Sequence, residues 1–267
     1  MAGAMPDLIL GMYGGYDAAA ALPFLRSLRA SGCEAEVVLL LHGNPAGTAA
    51  ALAAAGARTK SVALAGVPAT VSYNVARYAA LAACLAHRPA ARRVLLTDVR
   101  DVVFQRDPFS AIGDASLHLF LEHPARTIGQ CLWTSSWVRF RYGDAALPPL
   151  ADRPIVCSGV VLGAAAAVRD YLALVAGELP ATLRATNYMA GYDQGVVNVL
   201  AHGGRLPAAT LHPYHDTAVL HLGNTPAGGV TCDERGEVVN DAGMPVAVVH
   251  QYDRHPELAA RLAARWS

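Results

Sequence analysis

Residues able to do chemistry are concentrated in a few short stretches, the densest being Thr97-Asp98-Val99-Arg100-Asp101. Two carboxylates flank an arginine. Apolar runs, Val94-Leu95-Leu96 before and Val102-Val103-Phe104 after, flank the whole. Carboxylate oxygens suit hard cations such as Mg²⁺ or Mn²⁺. Residues three apart on an extended strand point to opposite faces, so Asp98 and Asp101 meet on one ion only if the chain turns between them. The plainer alternative is a surface Asp–Arg salt bridge at a strand end. A second concentration, His250-Gln251-Tyr252-Asp253-Arg254-His255, closes another apolar run. A lone histidine is more often structural, but a cluster of this kind at a strand end points to a site.

Three weaker signals accompany these. Met12-Tyr13-Gly14-Gly15-Tyr16-Asp17 follows an apolar run and reads either as a ligand loop or as a glycine turn with packed tyrosines. It lacks the Gly-x-Gly-x-x-Gly spacing of a dinucleotide fingerprint. Gly159, within Ile155-Val156-Cys157-Ser158-Gly159-Val160-Val161-Leu162, either lets a substrate approach the backbone or marks a strand bulge. Asp193, in Tyr192-Asp193-Gln194-Gly195, suits a helix N-terminus and so serves either as a cap or as a functional acid.

The elements that must position these residues alternate between strand and helix. Strands are predicted at 7–12, 37–41, 62–64 and 94–96, with helices at 17–30, 46–55 and 75–87 between them. That alternation predicts a parallel sheet covered on both faces, with ligands at the carboxyl ends of the strands. The residues 11–17 and 97–101 fall at such ends. The second half is more irregular: strands at 117–121, 155–162 and 246–250, helices at 127–142, 165–176, 191–201 and 256–266, and short strands around a turn at Glu234-Arg235-Gly236.

Composition removes several function classes. The 267 residues are 54% hydrophobic and 16% charged, which excludes a disordered chain. Net charge is zero and no basic tract occurs, so nucleic acid is not the expected partner. Lys60 is the only lysine; the arginine and alanine bias reflects a GC-rich, bacterial kind of coding preference rather than function. Cys33, Cys84, Cys131, Cys157 and Cys232 lack paired spacing, which predicts reduced thiols and a cytoplasmic protein. Asp7 interrupts the first apolar run, so no signal peptide is predicted, and no apolar segment reaches the roughly 20 residues of a membrane span.

The acidic segment resembles the aspartate motif of GT-A fold glycosyltransferases, the glycogenin and lipopolysaccharide galactosyltransferase types in particular. Asp98 stands at the first aspartate of that motif and Gln105 at the matching distance. Arg100 occupies the second acidic position, and Asp101 is the next acid. The strand around Ser158-Gly159 is similar to the family's small-residue strand lining the sugar pocket, with Cys157 in place of the usual Asn. Asp193-Gln194 resembles the motif that opens a helix beside the anomeric carbon. His250 resembles the late metal-binding histidine, and Arg254 stands near a position usually held by lysine.

The resemblance implies a GT-A (Rossmann-like) α/β fold, with a mostly parallel central sheet, helices on both faces and a more irregular C-terminal half. It implies one catalytic domain over 1–267, its nucleotide-binding half spanning about 1–110 and its sugar and acceptor half about 111–267. The activity implied is transfer of a sugar from a UDP- or GDP-sugar to a saccharide, lipid-linked or small-molecule acceptor, with retention favoured. Mn²⁺ or Mg²⁺ would be held by Asp98, Asp101 and His250. Tyr13, Gly14, Tyr16, Asp17, Arg77, Asp98, Val99, Arg100, Ser158, Gly159 and Arg254 would meet the donor, and Asp193 and Gln194 would be catalytic. The aromatic residues of 133–142 would line the acceptor side. The rival readings are a nucleotidyltransferase that makes nucleotide sugars and a non-catalytic sugar- or nucleotide-binding module. The first calls for a basic glycine-rich loop, and residues 11–17 hold no Arg or Lys. The second would not need Asp98 and Asp101.

Overall fold

The computed structural model describes residues 6–63, 73–113, 116–179, 191–206 and 208–266. The first half runs β1 (Leu8–Gly14), α1 (Leu22–Ala30), β2 (Glu36–His42), α2 (Thr48–Ala54), β3 (Arg58–Ser61), α3 (Tyr73–Ala86), β4 (Arg93–Thr97) and β5 (Val102–Phe104). The second half continues with β6 (Leu117–Leu121), α4 (Leu132–Tyr142), β7 (Val156–Ala164), α5 (Ala165–Glu178), α6 (Tyr192–His202), β8 (Ala209–His212) and β9 (Val219–His221). It ends with β10 (Thr231–Cys232), β11 (Val238–Val239), β12 (Val248–His250) and α7 (Pro256–Trp266).

The central sheet has seven strands in the order β3-β2-β1-β4-β7-β6-β8. Its β3, β2, β1 and β4 pair in parallel, as do β6 and β8, while β7 runs antiparallel to both β4 and β6. The sheet is therefore largely parallel, as the alternation predicts. Its inner strands β2, β1, β4 and β7 are buried on both faces, which is why they read as unbroken apolar runs. Leu8, Leu10, Val38, Leu40, Val94 and Leu96 pack on one face with α3, α5 and α6. Alternate residues Ile9, Leu39 and Leu95 pack on the other with α1 and with β5 and β12.

Local chemistry sets the element ends. Helix α1 carries Pro23 in its first turn and stops at Gly32, whose φ of +81° a side chain would disfavour. Helix α7 opens on Pro256 and buries Leu258 and Leu262. The predicted turn at 234–236 joins β10 to β11 as an antiparallel pair.

One element is displaced from its expected place. The strand predicted at 62–64 lies at Arg58–Ser61, and Leu64 falls outside the described residues. β3 is an edge strand with mostly exposed polar side chains, so a search for apolar runs slides past it onto Val62. Val62 itself still donates its N–H to Leu41 O at 2.9 Å.

A smaller sheet, ordered β5-β12-β9, lies against the α1 face. The chain leaves the central sheet at Thr97, turns through 98–101, and enters this second sheet at Val102. Everything at the site depends on that crossing.

Candidate functional site

Three strand registers bring the reactive residues together. β7 opposes β4 with Val160 across from Thr97, and Asp98 N–H donates to Gly159 O at 2.8 Å, so Gly159 stands beside Asp98. β12 runs antiparallel to β5 with His250 opposite Val102, which places the histidine next to Asp101. β9 runs parallel to β12 with His221 level with His250. The turn required between Asp98 and Asp101 is present, pinned by the Gln251 N–H donating to Asp101 O at 2.8 Å. Gln251 itself sits at φ 62° and ψ 34°, a left-handed conformation unusual for a residue with a side chain.

Asp98, Asp101 and His250 converge as a possible metal triad. His250 Nε2 lies 3.4 Å from Asp98 Oδ2 and 3.9 Å from Asp101 Oδ1. That nitrogen is buried and makes no hydrogen bond. A buried nitrogen that faces two carboxylates without a hydrogen bond of good geometry to either is what an oxygen- and nitrogen-ligated cation would complete, so the residues fit a divalent metal. Burial opposes ionisation of Asp98, but Arg77 and His250 outweigh it and hold its carboxyl well below the usual range. Asp101 moves the other way: burial raises it, with Asp98 and Asp253 adding to the rise.

Behind the triad, Arg77 from α3 ties two acids together. Its guanidinium donates to Asp98 Oδ1 at 2.5 Å and to Asp193 Oδ2 at 2.7 Å. Tyr78 OH donates to the same Asp193 oxygen at 2.9 Å. Asp193 stands in the first turn of α6 and is 1% exposed. Asn198, one turn further on, brackets Val156 with two 2.8 Å bonds and so fixes α6 against β7. Gln194 accepts from Ser158 N–H at 3.4 Å and donates to Glu122 Oε1 at 3.0 Å. Asn224 Nδ2 donates to the other Glu122 oxygen. Burial raises the Glu122 carboxyl above its ordinary value, against the pull of those two amides.

Arg77, Glu122, Asp193, Gln194 and Asn224 line an open cleft of about 950 Å³. Of the expected donor and metal residues, Tyr13, Gly14, Tyr16, Arg77, Asp98, Val99, Arg100, Asp101, Ser158, Gly159, Asp193, Gln194, His250 and Arg254 all line it. Asp17 is not among the lining residues; its carboxylate accepts from Ala20 N–H at 3.2 Å and its carbonyl from Tyr13 OH. Tyr13 is buried, whereas Tyr16 is 48% exposed and lies under the Arg100 guanidinium at 5.6 Å. Arg100 bonds Asp253 at 2.8 Å, and the same Nη2 lies 3.8 Å from Asp101 Oδ2 at the edge of the triad. Gln105 faces elsewhere, bonding the backbone of Val238 and Val246.

Sequence reasoning missed Glu122, Asn224 and His221. Glu122 closes the apolar run 117–121 as Asp98 closes 94–96, and His221 ends Val219-Leu220-His221 as His250 ends Val248-Val249-His250. Those parallels were available signals. Asn224 sits in a glycine turn and offers none. Trp133 and Trp137 do reach the cleft; the ring of Trp137 fills the space left by Gly191, and its Cβ and backbone lie against Gly195.

No family model matches the chain, and no curated protein matches it. Among solved structures, it is similar to a crystal structure of the galactosyltransferase LgtC in complex with donor and acceptor sugar analogs. That match covers 97% of this chain and 96% of that one at 17% identity, with a TM-score of 0.54. A second structure, of an active-site mutant of LgtC, matches over 95% of each chain at 17% identity with a TM-score of 0.52. At this identity the likeness establishes the fold, and it does so over nearly the whole of both chains.

Proposed function

We propose that this chain is a glycosyltransferase that moves a sugar from a nucleoside-diphosphate sugar to an acceptor, with a divalent cation held by Asp98, Asp101 and His250. The observation that carries the reading is the convergence of Asp98, Asp101 and His250 in the cleft, with the buried His250 Nε2 facing both carboxylates and hydrogen-bonded to neither. The shared fold with LgtC, whose structure holds donor and acceptor sugar analogs, supports it.

When bound, the cation supplies positive charge to the diphosphate as it departs. Arg254, its side chain 60% exposed on the cleft wall, adds a forked donor for the same phosphates. Tyr16 offers an exposed ring to the base, held in place by Arg100, which Asp253 anchors. Ser158, Gly159, Asp193 and Gln194 border the sugar. In the net reaction the bond from the anomeric carbon to the diphosphate oxygen breaks, its electron pair leaving with the diphosphate. The acceptor hydroxyl forms the new bond and passes its proton to the departing phosphate. Retention, with Asp193 as transient nucleophile or orienting acid, follows the resemblance. Trp133 and Trp137 give the acceptor an aromatic wall suited to a sugar face.

The test is calorimetric titration with UDP and with GDP, each with and without Mn²⁺. Binding strengthened by Mn²⁺ is expected, and no binding of either nucleotide under any condition would sink the proposal. A panel of donor sugars followed by hydrolysis then names the donor, and Asp98→Ala should abolish that hydrolysis.

A further inference from the structure

A second set of ligand atoms backs onto the first. Cys157, His221 and His250 are each 1% exposed or less, and one ligand atom from each lies within 4.8 Å of the others. His221 Nδ1 is 2.9 Å from His250 Nδ1, and Cys157 Sγ is 3.7 Å from that same nitrogen. Zinc bonds of about 2.0–2.1 Å to nitrogen and about 2.3 Å to sulfur, at tetrahedral angles, put N···N edges near ~3.3 Å and N···S edges near ~3.6 Å. Both observed spacings come within about half an ångström of those edges.

Two further features suit an ion. His221 Nε2 is buried without a hydrogen bond, so the bond to His250 Nδ1 alone sets which His221 ring nitrogen carries the proton, and its Nδ1 can turn its lone pair to an ion. Glu122, a buried carboxylate on the cleft wall, is near enough to the Cys157 thiol to add to the rise that burial gives it. Cys157 and His250 line the cleft too, which supplies an entry path, and a fourth ligand is available from Glu122 or from cleft water.

We propose that Cys157, His221 and His250 form a soft-metal site, of the kind that takes Zn²⁺, and that it competes with the hard-cation site for His250. Thiolate and imidazole select such ions, whereas two carboxylates and one imidazole favour Mn²⁺ or Mg²⁺. The competition follows from tautomers. A neutral imidazole has one lone pair and one N–H. With Nε2 turned as ligand toward Asp98 and Asp101, the proton sits on Nδ1 and is donated to His221. With Nδ1 bound to the soft ion, the proton sits on Nε2 and points at the two carboxylates, where the hard cation would lie. One ion therefore excludes the other, and the proton of the Cys157 thiol is released as the soft ion binds. Inhibition of sugar transfer by the soft ion rests on the proposed function; the exclusion itself does not.

The experiment titrates the metal-stripped full chain with Co²⁺, whose thiolate charge-transfer absorption in the near ultraviolet reports a cysteine ligand. A band saturating at one equivalent is expected, kept in Asp98→Asn and lost in both Cys157→Ser and Cys157→Ala, with circular dichroism showing that the variants fold. Bound Mn²⁺, followed by its electron spin resonance, is then challenged with Zn²⁺. Displacement is expected in the unaltered chain and should need on the order of 100-fold more Zn²⁺ in the Cys157 variants. The proposal is overturned by absence of the band, by its survival in both folded Cys157 variants, or by Zn²⁺ and Mn²⁺ bound together. A Co²⁺ band with no Mn²⁺ binding would sink the metal-dependent transfer reading and leave the soft site standing.

Discussion

Gly159 and His250 are fitted to each other across the boundary between the two sheets. A Cβ at residue 159 would sink into the imidazole Cε1 and come within 2.8 Å of Asp98 Oδ2. The missing side chain thus makes room for the protein's own ligand groups, whatever it also does for a substrate. Gly159→Ala should displace His250 or Asp98, at a cost of about 1–3 kcal/mol for overpacking. The expected result is a folded protein whose Mn²⁺ affinity falls at least ~10-fold, on the scale of disturbed metal-ligand support. Unchanged Mn²⁺ titration curves would show that the three side chains do not act as one site.

Arg77 is the counter-charge for Asp98 and Asp193 together; Arg77 and Asp193 are buried, while Asp98 opens on the cleft. Removing it leaves the buried Asp193 carboxylate without a counter-charge, with only the Tyr78 hydroxyl to meet it. Arg77→Met should therefore lower stability by about 3–5 kcal/mol in urea unfolding. Adding Asp193→Asn to that variant removes one stranded charge and should recover part of the loss. A single variant within ~1 kcal/mol of the unaltered chain, or a double variant worse than the single, would contradict this account.

Much of the architecture was legible because buried parallel strands must be apolar on both faces, as 37–41 and 94–96 are. β3 was misplaced for the complementary reason, since an edge strand such as Arg58–Ser61 can be polar. At the site, Asp98, Asp101 and His250 could be named individually because each adjoins an apolar run. Their convergence was implied by the family resemblance and not by the spacing, because it comes from the pairing of His250 with Val102 and of Asp98 with Gly159, between segments far apart in the chain. The direction of Arg100 was hidden: Asp253, on a different element, decides it.

Gln105 illustrates a motif residue with a role of its own. Its Nε2 donates to Val238 O and Val246 O at 2.9 Å each, and its Oε1 accepts from Val238 N–H at 2.7 Å. One side chain thereby joins the end of β5 to β11 and to the approach to β12. Gln105→Ala would strand these backbone groups, costing about 2–4 kcal/mol. Thermal melting should show the loss while Mn²⁺ and nucleotide affinities stay within about twofold. A tenfold fall in Mn²⁺ affinity with an unaltered melting temperature would instead place Gln105 in the site.

Asp7 gives the fold a pH dependence that leaves the cleft untouched. Its carboxylate accepts from Arg93 Nε at 3.0 Å and Nη2 at 2.7 Å and from Arg92 Nη2 at 3.1 Å, clamping the start of β1 to the start of β4. Burial alone would raise the Asp7 carboxyl, but the two arginines outweigh it and the net shift is downward. A depressed folded-state value means that the unfolded chain takes up the proton first as pH falls. The clamp's contribution is then fully present above the unfolded aspartate value of about 3.9 and is lost as pH drops through the lower folded value. For a pair partly open to solvent that contribution is about 1 kcal/mol, or ~2–4 °C in melting temperature for a chain of this size. Asp7→Asn should accordingly melt a few degrees lower at pH 7, with the gap to the unaltered chain closing below about pH 4. A gap that stays constant, or widens, across an acid titration of both melting temperatures would show that the carboxylate's charge is not what holds β1 to β4.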